Sequence, residues 1–215
     1  MTDFSKILDD VLFQHLTGKE KASIIANSSI ISFEEEEMFL KRGSLLFSAY
    51  FIIQGEIKIK DQKNRLLNLL GEGNMLGLNY LFNKEPIYFS AYGVKETKII
   101  QIEKNILIQL MSTNSKFMID MFIKASENSR ELVRNLLRYK NQKITGALAS
   151  FLLYYNEKNC LHALTQKEIS EMLGYSRENT NKCLNEYIHS GYIKFNGNSI
   201  EVIDSNALDK IQQFG

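Results

Sequence analysis

From Met111 to Tyr139 the chain contains neither glycine nor proline, and Met118, Met121, Phe122, Ala125, Leu132, Leu136 and Tyr139 recur three or four residues apart. That spacing predicts one long helix over 111–139. A helix so long, set between regions of different texture, has few intramolecular partners along its whole length. Its narrow apolar seam suits coiled-coil pairing with a second copy, and packing against the rest of the chain is the alternative. Ser126, Asn128 and Ser129 interrupt the seam. Arg130, Arg134 and Arg138 stack at i, i+4 on one face, where like charges repel. Such a face is either solvated or turned towards a nucleic-acid backbone.

Upstream the period changes. Residues 4 to 26 carry Ile7, Leu8, Val11, Leu12, Leu16, Ile24 and Ile25 at helical spacing, a short helical entry around Gly18. From about residue 30 to 103, β-branched and aromatic residues come in short runs broken by glycine. Phe51 to Lys60 ends in an apolar–charged alternation that suits a half-buried strand, and Asp61 to Asn64 reads as a turn. Further strands are expected over Leu66 to Leu70, Tyr88 to Val94 and Lys98 to Ile102, with a glycine bend at Gly71-Glu72-Gly73. Strands at this spacing without intervening helices predict a sandwich or jelly roll.

Downstream the helices shorten. Gly146 to Tyr155 reads as an apolar helix. Thr165 followed at the third position by Glu168 is a helix-start pattern, with Ile169, Met172 and Leu173 on the buried side and Gly174 as terminator. Ser176 caps a second helix that buries Thr180, Cys183, Leu184, Tyr187 and Ile188 and stops at Gly191. Two strands around Asn196-Gly197 follow. Helix, tight turn, helix and hairpin together spell a winged helix-turn-helix, and the whole chain an α+β protein.

Composition limits the chemistry. With 215 residues, 44% hydrophobic and 24% charged, there is apolar material for real cores, and a net charge of +1 excludes an indiscriminate polycation. The acidic N-terminus and the lack of a long apolar run point to a cytoplasmic protein with no membrane partner. Cys160 and Cys183 are too few for a disulfide framework, and Cys160, in a polar stretch, is a weak redox candidate. His15, His162 and His189 lie far apart, so no catalytic or metal-binding set is expected, and no cofactor. The run Glu34 to Glu37 reads as a solvated strand edge, with cation binding as the alternative.

What remains is nucleic acid. Arg177, Glu178, Asn181 and Lys182 cluster in the first two turns of the second short helix and can read guanine, cytosine and adenine edges in a major groove. Thr165, Gln166 and Lys167 open the helix before it, where N–H groups, a hydroxyl and an ammonium suit a phosphate. Two solvated helix ends with ordinary capping are the plainer alternative. Charge adds little, because residues 140–215 balance eight basic against eight acidic side chains.

Barrel, long helix and winged helix-turn-helix in this order resemble transcription regulators of the Crp/Fnr family. The resemblance rests on Tyr50-Phe51-Ile52-Ile53-Gln54-Gly55-Glu56-Ile57-Lys58, on Leu70-Gly71-Glu72-Gly73-Asn74-Met75-Leu76-Gly77, and above all on Leu164 to Ser170 and Leu173 to Glu178. It implies a cyclic-nucleotide-binding-like jelly roll over 1–110, a dimerisation helix over 111–139 and a DNA-binding domain over 140–215. It also implies a homodimer on an inverted-repeat DNA operator, with RNA polymerase as a candidate partner. Arg177, Glu178 and Lys182 fall at its base-reading positions, and Thr165, Gln166, Lys167 and Ser176 at phosphate-contacting ones. Lys182 stands where arginine is usual.

The departures concern the effector. Nucleotide-binding members follow the glycine matching Gly77 with a glutamate for the ribose, and place an arginine with serine or threonine about ten residues on for the phosphate. Here those positions hold Leu78 and Ile87-Tyr88, and the base-contacting positions of the long helix fall near Leu132 and Val133. An unpaired phosphate buried there would be costly. A degenerate effector pocket is therefore expected, answering to no cyclic nucleotide, and either to an unidentified apolar molecule or to none. A nucleotide-gated regulator with an atypical pocket and a barrel enzyme fused to a helical domain are the rivals.

Overall fold

Among the described residues, glycine-punctuated β-branched runs form eight strands in two antiparallel sheets. In the computed structural model, residues 4, 10–82, 84–140, 143–197 and 199–214 are described, except for the side chains of 128, 131, 132, 135, 136, 138–140 and 214. One sheet runs β1 (Ser28–Ser32), β8 (Lys98–Glu103), β3 (Ser48–Gln54), β6 (Met75–Leu76); the other runs β2 (Glu37–Leu40), β7 (Ser90–Gly93), β4 (Ile57–Lys60), β5 (Leu66–Leu70). Every residue from Ser48 to Ile53 is buried, and the strand's two-residue period sends alternate side chains into two cores. Tyr50 and Ile52 join Ile57, Ile59, Ile87, Ala91 and Ile99 in one cluster. Ala49, Phe51 and Ile53 join Phe13, Ile24, Ile100, Leu107, Phe117 and Met121 in another.

The half-buried alternation expected of β4 is only partly present. Lys58 is buried like its apolar neighbours, because its ammonium lies 3.2 Å from Glu36 Oε2, and Lys60 pairs with the same carboxylate. Glu36 is thereby engaged with two cations of its own chain, while Glu34, Glu35 and Glu37 are exposed. The helical entry is shorter than its apolar stripe suggests. Asp10 caps a single 3-10 turn, Val11–Phe13, in which Val11 is exposed, and helix α1 spans Gly18–Ala26 behind a Thr17–Glu20 capping box. Ile7 and Leu8 lie outside the described residues.

The stretch without glycine or proline forms two helices. The first, α2, covers Lys104–Thr113 and α3 covers Ser115–Lys140. Asn114 separates them: its backbone is extended, its N–H ends α2 on the Leu110 carbonyl, and its side-chain oxygen accepts the Phe117 N–H at 3.1 Å. Asparagine competes with helical backbone in this way without being an obligatory breaker.

On α3 the expected seam splits between two neighbourhoods. Phe117 and Met121 are in the barrel core, and Ala125 packs against it. Met118, Ile119, Phe122, Ile123, Val133 and Leu137 are exposed. The side chains of Leu132, Leu136, Arg138 and Tyr139 are outside the described set, and Arg130 and Arg134 are exposed.

The chain divides into two compact units, Met1–Gln62 with Leu70–Glu131 and Lys63–Leu69 with Leu132–Gly215. The second contains α4 (Ile144–Glu157), α5 (Gln166–Leu173), α6 (Arg177–His189), the hairpin β9 (Ile193–Asn196) and β10 (Ser199–Val202), and α7 (Ser205–Phe214). Its core gathers Leu148, Phe151, Leu152, Tyr155, Leu161, Ile169, Leu184, Ile193 and Leu208, together with Leu66 and Leu69. The terminal helix α7 is an addition to the expected winged domain. Asp204 Oδ1 accepts the Ala207 N–H at 2.9 Å, an ordinary cap visible in the sequence as Asp-Ser before Leu208 and Ile211.

Cys160 is not in a polar environment: it is buried in this core, and its thiol donates to the Lys158 carbonyl at 3.2 Å. Cys183 is buried too, and burial pushes its thiol up to about 11. With the thiolate disfavoured, native protein at pH 8 should react with a disulfide reagent at least tenfold more slowly than denatured protein, which exposes both thiols. Equal native and denatured rates in a stopped-flow assay would contradict this burial.

Candidate nucleic-acid interface

The turn between α5 and α6 is built from local signals. Gly174 takes the left-handed conformation, φ 76°, that ends α5, and its N–H bonds the Ser170 carbonyl. Ser176 then caps α6, accepting the Asn179 N–H at 3.2 Å. Thr180, fully buried one turn later, donates its hydroxyl to the Ser176 carbonyl at 3.1 Å. Thr180, Cys183, Leu184 and Tyr187 are buried, and the Tyr187 hydroxyl donates to the Thr145 carbonyl at 2.7 Å. That packing fixes which face of α6 points outward.

Arg177, Glu178 and Lys182 lie on that face, all three exposed, with Asn179, Asn185 and His189 beside them. Arginine and lysine suit guanine O6 and N7, and a carboxylate suits the cytosine amine. Asn181 departs from the expectation. Its Oδ1 is enclosed with no hydrogen-bond partner among the described residues. Asn185 is exposed and shares the helical phase of Glu178 and Lys182. Counting on from Glu178 in steps of three and four would have found it.

At the start of α5 the chemistry is narrower than the residue types suggest. Glu168 Oε2 accepts both the Thr165 N–H and the Thr165 hydroxyl at 2.9 Å, while Thr165 Oγ1 accepts the Glu168 N–H at 3.3 Å. Thr165 is therefore engaged in its own cap. The N–H groups of Gln166 and Lys167, which no helix satisfies from within, and the exposed Lys167 ammonium remain to meet a phosphate.

The positions expected to form a degenerate effector pocket lie on several elements. Gly77 precedes a 3-10 turn, Leu78–Tyr80. Leu78 is buried in the cluster with Phe51 and Leu107, whereas Ile87 is buried in the separate cluster with Ile52 and Ile57. Tyr88 is exposed and its hydroxyl bonds Glu85 at 3.2 Å. Val133 is exposed on α3, and the Leu132 side chain lies outside the described residues. Leu78 and Ile87 thus each fill a core, and neither offers a polar group to a ligand.

No described helix is long and apolar enough to cross a membrane, and among the described residues no three His, Cys, Asp or Glu side chains gather as a metal site. His15 instead pairs with Asp120 at 2.6 Å, and His189 bonds the Asn185 carbonyl at 2.7 Å.

Comparison with known proteins finds two domain types in the chain. The family model of a cyclic nucleotide-binding domain matches residues 30–114, and that of a Crp-like helix-turn-helix domain matches residues 146–211. A CRP-like cAMP-activated global transcriptional regulator of Mycobacterium tuberculosis is 24% identical over 210 residues, covering 92% of this chain and 94% of that protein. Among solved structures, FixK2 from Bradyrhizobium japonicum has a TM-score of 0.75 at 14% identity, over 86% of this chain and 96% of that one. A Crp/Fnr-family regulator from Thermus thermophilus has a TM-score of 0.71 at 21% identity, over 86% and 98%. Both domain types occur here in the family's order across most of the length, and the chain belongs to the Crp/Fnr family of transcription regulators, not to an enzyme family.

Proposed function

We propose that this regulator binds double-stranded DNA sequence-specifically in the cytoplasm, as a homodimer paired along α3, on an inverted-repeat operator. The observation that carries the reading is the outward face at the start of α6, where Arg177, Glu178 and Lys182 stand opposite a buried face. Two such helices about 34 Å apart would enter successive major grooves. RNA polymerase is a further candidate partner of a regulator of this kind.

Arg177→Ala should cost about 1–3 kcal/mol on the operator and relax the preference at one base pair. Lys167→Ala should weaken binding on all sequences and flatten the salt dependence. Fluorescence anisotropy on operator and random duplexes separates these roles; equal losses on both duplexes for both variants would refute the assignment. The direct test is selection from a random DNA library with purified protein at stated salt. Recovery of a two-fold-symmetric motif supports the reading, and enrichment of none by folded dimer contradicts ligand-free specific binding.

The name of the Mycobacterium tuberculosis relative, cAMP-activated, raises a second reading in which a cyclic nucleotide gates the chain. Leu78 and Ile87, buried in separate cores, speak against it. A resolved calorimetric heat with cyclic AMP or GMP at micromolar concentration would reverse this judgement.

A further inference from the structure

We propose that Glu171 is a positioning residue of the DNA-binding face, joining segment 63–69 to the phosphate-facing Lys167 through one carboxylate. The proposal rests on the DNA-binding reading above. Glu171 lies on α5 with its side chain 13% exposed, and its two oxygens have unlike partners. Oε2 accepts the backbone N–H of Leu66 at 2.9 Å. Oε1 lies 3.6 Å from the ammonium of Lys167, one helical turn earlier.

Segment Lys63–Leu69 belongs to the same compact unit as the winged domain. Leu66 and Leu69 are buried in that unit's core. Asn68 Oδ1 accepts the Leu69 N–H at 2.9 Å and the Tyr155 hydroxyl at 3.4 Å. The segment is therefore seated by two apolar anchors and by polar ties, one of which ends on Glu171.

A carboxylate one turn inside a phosphate-facing helix start opposes DNA, because it repels the backbone and engages the nearest cation. Its value lies in what else it holds. With the segment seated, the Leu66 N–H draws on the carboxylate, and the Lys167 ammonium is shared between Glu171 and solvent. With the segment unseated, the whole carboxylate turns to Lys167 and withholds that charge from phosphate. Seating of 63–69 and DNA affinity are then linked, and linkage of this kind is reciprocal.

Glu171→Gln separates the two roles, since a glutamine oxygen still accepts the Leu66 N–H while the charge is gone. In the full chain, Glu171→Gln should bind operator and random DNA about three- to tenfold more tightly at low salt. Its plot of log affinity against log salt should steepen by about one counterion. In a Lys167→Ala background the same substitution should gain less than about twofold, because its cation is absent. An equal gain in both backgrounds would mean diffuse repulsion and would overturn the proposal. Amide exchange tests the other tie without DNA. Glu171→Ala should speed exchange of the Leu66 amide at least tenfold, and Glu171→Gln should keep it near wild type; unchanged protection in the alanine variant would overturn the tie. Should wild-type protein bind no DNA, the DNA reading fails on its own, and the Leu66 amide still decides whether Glu171 seats the segment.

Discussion

Phe122→Asp is expected to convert the protein to a monomer at micromolar concentration and to reduce affinity for an inverted-repeat operator at least a hundredfold. Phe122 is 71% exposed on α3, while Val133 at 55% and Leu137 at 65% continue the exposed apolar surface towards the end of the helix. Ile119 and Ile123 flank Phe122. Apolar side chains in that number, along a helix of 26 residues, are a surface a second helix would cover. Ser129, which interrupts the stripe, returns its hydroxyl to the Ala125 carbonyl at 3.2 Å, so it brings no unpaired donor into a seam. Burying a phenylalanine is worth about 2–3 kcal/mol, and a two-fold axis counts it twice. Losing roughly 5 kcal/mol weakens a dimer several thousandfold, before two aspartates repel across the axis. An isolated protomer keeps its fold, because Phe117 and Met121 hold the barrel core from the other side of the helix. Analytical ultracentrifugation checks the assembly, thermal melting the fold, and anisotropy on full and half operators the binding. A variant that remains dimeric with unchanged operator affinity would remove α3 as the interface.

The contrast between Met121 and Phe122 shows where sequence reading stops. Periodicity marks both as apolar and inward, yet one fills the barrel core and the other is exposed, since the pattern does not say which surface each residue meets. Local signals are legible. The Thr165–Glu168 capping box, the Gly174 stop and the Ser176 cap depend on residues within four positions, and all are present as expected. Asn114 is hidden because it caps by side-chain hydrogen bonding, a choice that glycine and proline scanning does not sample. Cys160 follows Glu157, Lys158 and Asn159 in sequence, whereas in space it belongs to the core cluster of Phe151, Leu152 and Leu164. In the candidate interface, Arg177, Glu178, Lys182 and Lys167 are legible by type and phase. The engagement of Thr165 by Glu168 is half visible, and the Leu66–Glu171 bond, 105 residues apart in sequence, has no local trace. Tight backbone approaches are equally hidden, as at Gly55.

Gly55→Ala is expected to destabilise the barrel by about 4 kcal/mol. Gly55 adopts φ +77°, where an alanine is strained, and its added Cβ would lie 2.5 Å from Thr97 Oγ1 and 2.9 Å from Thr97 Cα. Thr97 has no room to yield. It is fully buried; its hydroxyl accepts the Glu56 N–H at 3.0 Å and donates to the Glu56 carbonyl at 2.9 Å. Its own N–H bonds the Val94 carbonyl at 3.0 Å, and its carbonyl accepts the Phe33 N–H at 3.0 Å. Backbone strain costs about 1–3 kcal/mol, overpacking a similar amount, and each broken buried hydrogen bond about 1 kcal/mol. Gly73 provides the control: it has the same φ of +77°, but an added Cβ there meets nothing within 4 Å. Gly73→Ala should therefore show the strain alone, about 1 kcal/mol, and the difference between the two variants isolates the collision with Thr97. Thr97→Ala in the Gly55→Ala background removes the hydroxyl but leaves the clash with the residue's backbone, so it should restore only part of the loss. Urea unfolding followed by amide exchange in β3 and β4 reads these effects in the barrel itself. Equal losses at Gly55 and Gly73 would show that conformation, not the packing of Thr97 against the turn, governs both sites.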